Sequence, residues 1–336
     1  MSWSELRREV GFATSVLARR PFDVLLQVTN RCNMKCSFCD FWPNGAPQEE
    51  LSLEEMRRLA GELSALGTCI VSIEGGEPFV RADLVDIVRA FARDHLAVLY
   101  TNGWYVTADG ARALFDAGLT QVGVSIDYPD ARHDAKRGLP GAAHRAWQAV
   151  DLLRAAAPHG GRQVHVMTVL MQDNAGDIEP LMAESARHGV GHVVTLLSTR
   201  GYRRGKGLDA LPAPGVGRRL LPVWDGNPHW RFFREYVERM DAFLEGGPLP
   251  ACRAGVQAFN VDHVGNVAVC VEKIDRPVGN LREASLAELH GRLRARQDEV
   301  ARCQECWTAC RGFGQLLSGG GHAASWRDLA GRMRSR

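Results

Sequence analysis

"DVLLQVTNRCNMKCSFC", residues 23–39, begins as a short apolar run and ends with three cysteines, Cys32, Cys36 and Cys39, inside eight residues. The run is rich in Val and Leu, as a strand buried on both faces should be. The cysteines follow at once, so they belong to the loop that leaves the strand's C-terminal end. A purely structural metal site usually takes four protein ligands. Three thiolates can hold a 4Fe-4S cluster and leave one iron open, the kind of position that catalytic metal sites keep for substrate.

Outward from this stretch the same pattern recurs. The runs "CIVSIEGG", "LAVLYTNG", "QVGVSID", "QVHVMTVL" and "HVVTLL" follow up to Leu197, separated by amphipathic segments. One of these, "SLEEMRRLAGELSALG", opens with a capping box, Ser52 with Glu55 three residues on. Six strand-helix repeats predict a parallel sheet with helices outside, as an open doubly wound sheet or a partial barrel. From Thr199 to Pro250 the rhythm breaks into turn chemistry, "TRGYRRGKG", "LPAPG" and "DGNP", around one helix, "WRFFREYVERMDAFLEGG". After it, "VQAFNVDHVGNVAVCVE" alternates about a Gly265-Asn266 turn, which predicts a hairpin. The helix "SLAELHGRLRARQDEVARC" then leads to a second cysteine group, and the tail from Ser318 is Gly-rich and then basic.

Charge is nearly balanced, 41 Lys and Arg against 39 Asp and Glu in 336 residues, which excludes strong electrostatic attraction to nucleic acid or an acidic membrane. The first residues read as a short amphipathic helix, without the apolar run of a signal peptide or a membrane span, and this places the chain in the cytoplasm. In that reducing compartment, cysteines spaced C-x3-C-x2-C and C-x2-C-x3-C read as metal ligands rather than disulfides, and the odd total of nine agrees.

"CNMKCSFC" resembles the motif of radical S-adenosylmethionine enzymes, with an aromatic, Phe38, before the third cysteine as that family prefers. The resemblance implies a partial (β/α)6 TIM-like barrel whose open iron chelates the amino and carboxylate groups of S-adenosylmethionine. The reduced cluster then splits the cofactor to a 5′-deoxyadenosyl radical, which takes a hydrogen atom from substrate. "EGGEP" supplies Gly75, Gly76, Glu77 and Pro78, matching the family's GGEP motif, which receives the methionine amino group. Glycines let the backbone approach a ligand closely, and a carboxylate complements an ammonium. Thr101 and Asn102 of "TNG" and Ser125 to Asp127 of "SID" fall where family members contact the cofactor, "HDAKRG" follows as in relatives, and Asn174 is a further candidate for the same pocket. Taken singly, each reads as well as a turn, a cap or a loop residue. Jointly they fall at strand C-terminal ends, where barrel enzymes build their sites.

The later cysteines resemble the family's auxiliary-cluster modules, SPASM and the shorter twitch. Cys252 precedes the hairpin, Cys270 lies five residues after Gly265, and Cys303, Cys306 and Cys310 follow the helix. The full SPASM pattern has more cysteines; five fit one auxiliary 4Fe-4S cluster with one left over, a twitch-like count. The ligand set taken first is Cys252, Cys270, Cys303 and Cys306, leaving Cys310 as a distant ligand, a hydrogen-atom donor or an inert core residue. Zinc is the alternative occupant of the same thiolates. Cys69 reads as core packing, Trp42 as packing under the first cysteine loop, "GYRRGKG" (Tyr202 to Gly207) as a solvated loop rather than a basic lid, and the tail as a weak membrane contact at most.

The expected organisation is an N-terminal helix (1–22), the barrel (23–225), a bridging helix with a small α+β hairpin-plus-helix auxiliary domain (226–317) and a basic tail (318–336). The expected function is C–H functionalisation of a small molecule or lipid precursor, with electrons from a donor such as flavodoxin or ferredoxin and the auxiliary cluster assisting. A ribosomal-peptide maturase (crosslinking or epimerisation) is the alternative, and a non-catalytic electron carrier or zinc scaffold the alternative of another class. The small-substrate reading rests on the residues before Cys32, room for one helix at about 1.5 Å per residue, where many peptide-modifying relatives carry a recognition domain.

Overall fold

The six apolar runs become six parallel strands because each is buried on both faces and joined to the next through a helical crossover. The computed structural model describes residues 3–42, 49–199, 210–318 and 325–328. Helix α1 (Trp3–Leu17) precedes β1 (Asp23–Thr29), α2 (Leu53–Leu66), β2 (Ile70–Gly75), α3 (Leu84–Ala92), β3 (Leu96–Thr101), α4 (Ala108–Asp116) and β4 (Gln121–Ser125). Then come α5 (Arg132–Arg137), α6 (Ala142–Ala156), β5 (Val164–Leu170), α7 (Ile178–Arg187) and β6 (Gly191–Leu196). The strands pair in chain order, β1 to β6.

Past β6 the chain forms α8 (Val216–Gly226), α9 (Arg234–Leu244), the short strands β7 (Ala258–Val261), β8 (Asn266–Ala268) and β9 (Gly279–Asn280), then α10 (Leu286–Ala295), α11 (Gln297–Ala301) and α12 (Ala309–Ser318). The hairpin forms about Gly265, whose φ of +92° suits glycine. It does not stand alone: β7 pairs in parallel with β1, Asp23 opposite Ala258, so one nine-stranded sheet runs from β6 to β9 among the described residues. Apolar packing crosses in the same way. Met56, Ile87 and Val150 behind the barrel share one core with Phe259, Leu289 and Leu293.

At the other edge, β6 is covered rather than left as an open template. The His192 N–H donates to His229 O at 2.8 Å, and the Leu196 N–H donates to the Tyr236 hydroxyl at 3.0 Å. A second core of Phe12, Phe22, Phe233, Trp307 and Phe313 draws α1, α9 and α12 together there.

The capping box at Ser52 and Glu55 is present at the start of α2. Two expectations change. Among the described residues the stretch from 199 to 250 holds two helices, because α8 forms from the end of "LPAPG" into "DGNP", with Pro222 inside it. Its N-terminus is capped from a distance: Asp241 of α9 accepts from the N–H groups of Gly215, Gly217 and Arg218 at 2.8, 2.9 and 2.9 Å. The single helix expected after Ser285 breaks at Arg296 into α10 and α11. "GYRRGKG" lies outside the described residues.

Candidate active site

The cysteine loop is held where it leaves β1 by two neighbours. At the end of β2 the Gly76 N–H donates to Thr29 O and the Glu77 N–H to Arg31 O, at 2.8 and 2.9 Å. A Cβ on Gly75 would lie 2.2 Å from Thr29 O, and one on Gly76 2.1 Å from Arg31 O, so both positions need glycine for this close approach. On the other side the Lys35 and Ser37 N–H groups donate to the carbonyls of Arg137 and Lys136 at 3.0 and 2.9 Å. The loop is thus clamped between β2 and the segment after β4.

Cys32, Cys36 and Cys39 face one cavity of about 250 Å³ inside the barrel, with Phe38, Trp42, Gly75, Gly76, Thr101, Asn102, Ser125 and Arg137 around the same rim. Burial pushes the Cys32 thiol up to about 12 and the Cys36 thiol up to about 11, so the bare thiols keep their protons until a metal displaces them. Trp42 donates its indole N–H to Cys36 O at 3.1 Å and so braces the loop. Asn102 donates to Asn33 Oδ1 at 2.9 Å, and its Nδ2 lies 4.0 Å from Cys32 Sγ.

Four of the expected site residues serve the rim from behind it. Glu77 is 1% exposed, and its carboxylate accepts from the Thr101 hydroxyl and the Asn102 N–H, both at 2.8 Å, and from the Phe79 N–H at 3.1 Å. Burial pushes its pKa up to about 6. The carboxylate therefore ties β2 to β3, and what this segment turns to the cavity is the Gly75-Gly76 backbone. Pro78 is buried at the start of a short 3₁₀ turn. Asp127 is fully buried; it accepts from the Val169 N–H at 3.0 Å and pairs with Arg137 at 2.5 Å. Asn174 donates to Asp127 O and Val169 O at 3.0 and 2.8 Å and accepts from the Met171 N–H at 2.7 Å, fixing that turn.

Arg137 is the rim residue that the sequence did not single out, although its run, "HDAKRG", is noticeable. Burial opposes its charge, but Asp127 more than offsets this and its pKa is raised. Its guanidinium lies 4.0 Å from Cys36 Sγ and 5.4 Å from the Phe38 ring centroid. A buried cation beside the thiols suits an anionic cluster.

The second cysteine group surrounds another cavity, of about 220 Å³, lined by Cys252, Cys270, Cys303, Cys306 and Cys310. Burial raises the pKa values of Cys252, Cys270 and Cys306, and neighbouring thiols of the group add to the rise. Arg311 braces the group: it donates to the carbonyls of Cys306, Pro250 and Cys303 at 2.9, 3.0 and 2.9 Å. Cys310 differs, because it also lines the barrel cavity and lies close to Tyr100 and Tyr236. Among the described residues no three His, Cys, Asp or Glu side chains converge on a point fit for one metal ion. The thiols are spread around cavities, which fits a group with volume of its own. No disulfide joins the nine cysteines, and Cys69 is buried in the core.

Residues 26–184 match the family model of the radical SAM superfamily. The chain is 37% identical over 182 residues to GTP 3′,8-cyclase of Pectobacterium atrosepticum, covering 52% of this chain and 54% of that protein. It is 25% identical over 333 residues to AdoMet-dependent heme synthase of Oleidesulfovibrio alaskensis, covering 87% and 83%. The chain spans about half the length of the cyclases it matches. Among solved structures, anSMEcpe with bound AdoMet superposes with a TM-score of 0.65 at 17% identity, covering 87% of this chain and 89% of that one. Streptococcus suis SuiB bound to precursor peptide SuiA gives 0.66 at 16%, covering 93% and 77%. These structures share the fold.

Proposed function

We propose, from the premise that residues 26–184 form a radical SAM domain, that this chain functionalises a C–H bond of a small-molecule or lipid-precursor substrate. Cys32, Cys36 and Cys39 hold a 4Fe-4S cluster, and the rim of Gly75, Gly76, Thr101, Asn102 and Ser125 receives S-adenosylmethionine. When bound, cluster and cofactor supply the 5′-deoxyadenosyl radical that removes a hydrogen atom from substrate. The chain's own work is to orient both partners and keep water out. Glu77 and Asp127 hold the rim in shape, Arg137 balances charge at Cys36, and the barrel walls enclose the substrate.

Cys252, Cys270, Cys303 and Cys306 hold an auxiliary 4Fe-4S cluster that accepts or returns an electron, and Cys310 is the thiol left over between the two cavities. The initiating electron comes from an external donor such as flavodoxin or ferredoxin. The observation that carries this reading is the single cavity that has the three loop thiols on one wall and Cys310 on another. Among the described residues no helix is long and apolar enough to cross a membrane.

The test is anaerobic reduction of the cluster-loaded chain with S-adenosylmethionine. The expected result is release of 5′-deoxyadenosine; no release from a loaded sample favours an electron carrier or a zinc scaffold. A second reading, a ribosomal-peptide maturase, draws support from the likeness to SuiB, which was solved with a precursor peptide. Turnover with peptides and with small metabolites separates the two, and a mass change on peptide alone overturns the small-substrate reading.

A further inference from the structure

Below the rim, the wall of the barrel cavity is more polar than the strand sequences suggest. Asp23 opens β1 with its side chain toward the cavity, yet it is only 5% exposed and, among the described residues, has no hydrogen-bond donor or basic group against it. It cannot swing away, since its backbone is paired on both sides, with Ile70 of β2 and Ala258 of β7. Burial, and then the charge of Glu74, pushes its pKa up to about 7. A buried carboxylate without a donor is costly, and a ligand that brings donors removes that cost.

The surroundings narrow the ligand's chemistry. Glu74 of β2 faces the same cavity, so a second acid shares the field. Tyr100 of β3 lies within electrostatic reach of Asp23 and Glu74 and meets His165 of β5 edge-on, ring centroids 5.9 Å apart. Burial, then Arg231, pushes His165 down to about 4, so it is neutral, and its Nε2 is buried without a partner. Gly123 makes this pairing of rings feasible: it is in register with both, and a Cβ there would lie 2.7 Å from His165 Nε2 and from Tyr100 Cδ1. Of the cavity's basic groups, Arg137 stands at the rim, paired with Asp127, and Arg162 and Arg231 enter from the β5 and β6 side. The wall formed by β1, β2 and β3 thus presents two acids, a phenol and an aromatic face, with no cation of its own against Asp23.

We propose that this wall recognises an ammonium group: Asp23, assisted by Glu74 and Tyr100, takes the R–NH3+ of the substrate, whose carbon skeleton then extends upward to the rim of Cys32, Gly75 and Gly76. An ammonium brings three donors and a charge, which suits the Asp23 carboxylate in the field of Glu74, four register positions further along the sheet, better than an alcohol or an amide does. Only the identification of this ligand as the substrate rests on the function proposed above.

Calorimetry on the full, cluster-loaded chain with S-adenosylmethionine and no reductant tests it with three probes of one ring: cyclohexylamine, cyclohexanol and cyclohexanecarboxylate. Cyclohexylamine is expected to bind at least about tenfold more tightly than cyclohexanol, and Asp23→Asn is expected to cut that preference to about threefold or less while cyclohexanol binds as before. Glu74→Gln is expected to weaken the preference in part, which keeps the idea testable if Asp23→Asn fails to load clusters. Nα-acetyllysinamide as a fourth probe separates sources. If it outbinds cyclohexylamine with the same Asp23 dependence, the amine belongs to a peptide side chain; the reverse order assigns it to a small molecule, and either upholds the site. No preference for the amine, a preference that survives Asp23→Asn, or tighter binding of the carboxylate overturns it. Since nothing turns over in this assay, a chain that releases no 5′-deoxyadenosine can still show the ammonium site, and failure here leaves the release test untouched.

Discussion

The two cysteine groups of this chain are built by opposite means. The first packs three thiols into one loop and fixes it with backbone hydrogen bonds, the Gly75-Gly76 approach and the buried Arg137-Asp127 pair. The second collects thiols from separate segments before the hairpin, just past it and after α11, and relies chiefly on apolar packing of Phe259, Leu286, Leu289 and Leu293 to bring them together, with Arg311 as a polar brace. A local motif needs polar precision around it, whereas a dispersed one needs a core beneath it. The sharpest way to break this contrast is to remove the first group whole. With Cys32, Cys36 and Cys39 all changed to Ala, 5′-deoxyadenosine release is expected to fall to background while iron and sulfide counts drop to about one cluster per chain, because the other ligand set keeps all of its thiols. Loss of all iron would show that the two groups assemble as one unit.

The next effect falls on the polar support of the first group. Arg137→Leu strips the partner from a fully buried Asp127, and breaking such a pair costs about 3–5 kcal/mol. Denaturation of the metal-free chain measures it, and iron retained by the loop thiols should fall with stability. Arg137→Lys keeps the charge but loses the guanidinium's fork and its contact with Phe38, so it should recover only part. A loss below about 1 kcal/mol for Arg137→Leu would mean the loop is not held by this pair.

For the second group the corresponding weak point is apolar. Leu289 is fully buried between α10 and the sheet, and its Cδ2 lies 2.7 Å from where a Cβ of Gly279 would stand. Leu289→Ala should cost about 2–5 kcal/mol and reduce iron held by the later cysteines while sparing 5′-deoxyadenosine release. Equal damage to both groups would erase the distinction drawn between them, since the shared sheet would then transmit every loss.

The same contrast explains what could be read from the sequence. The barrel strands were legible because buried parallel strands spell themselves in Val, Ile and Leu, and the first cysteine loop because its residues are contiguous. Arg137 was not, since its value depends on Asp127 and Cys36 meeting it in space. Asp23, Glu74, Tyr100 and His165 lay inside the quoted apolar runs; the available signal was an isolated polar residue within a run otherwise rich in Val, Ile and Leu, whose side of the strand follows from the alternation of side chains. Helix α8 escaped because its cap, Asp241, lies more than twenty positions downstream. The hairpin was visible from its turn, but its parallel attachment to β1 is a pairing across more than two hundred residues that no local pattern encodes.

The smallest expected effect lies where the two regions touch. Glu55 completes the capping box of α2 and also accepts from Arg282, which follows β9, at 2.6 Å. The hydrogen bond from Arg282, more than any other influence, holds the Glu55 carboxyl down at about 2, against an ordinary value of 4.5. A depressed carboxyl favours the folded state only while it is ionised. Its contribution is therefore fully present above about pH 4.5 and is lost as pH falls toward 2. Because the pair is partly exposed, solvent screening limits its worth to about 1 kcal/mol or less. Glu55→Gln should thus lower stability slightly at pH 7, and its curve should converge with that of the parent near pH 2, as followed by urea denaturation across that range. If the loss appears only in the unfolding of the later region, then Arg282 is a strut for the hairpin. If it appears in one cooperative transition, the shared sheet couples both cysteine groups, and the opposition between a polar clamp and an apolar core describes how each group is held without implying that they unfold apart.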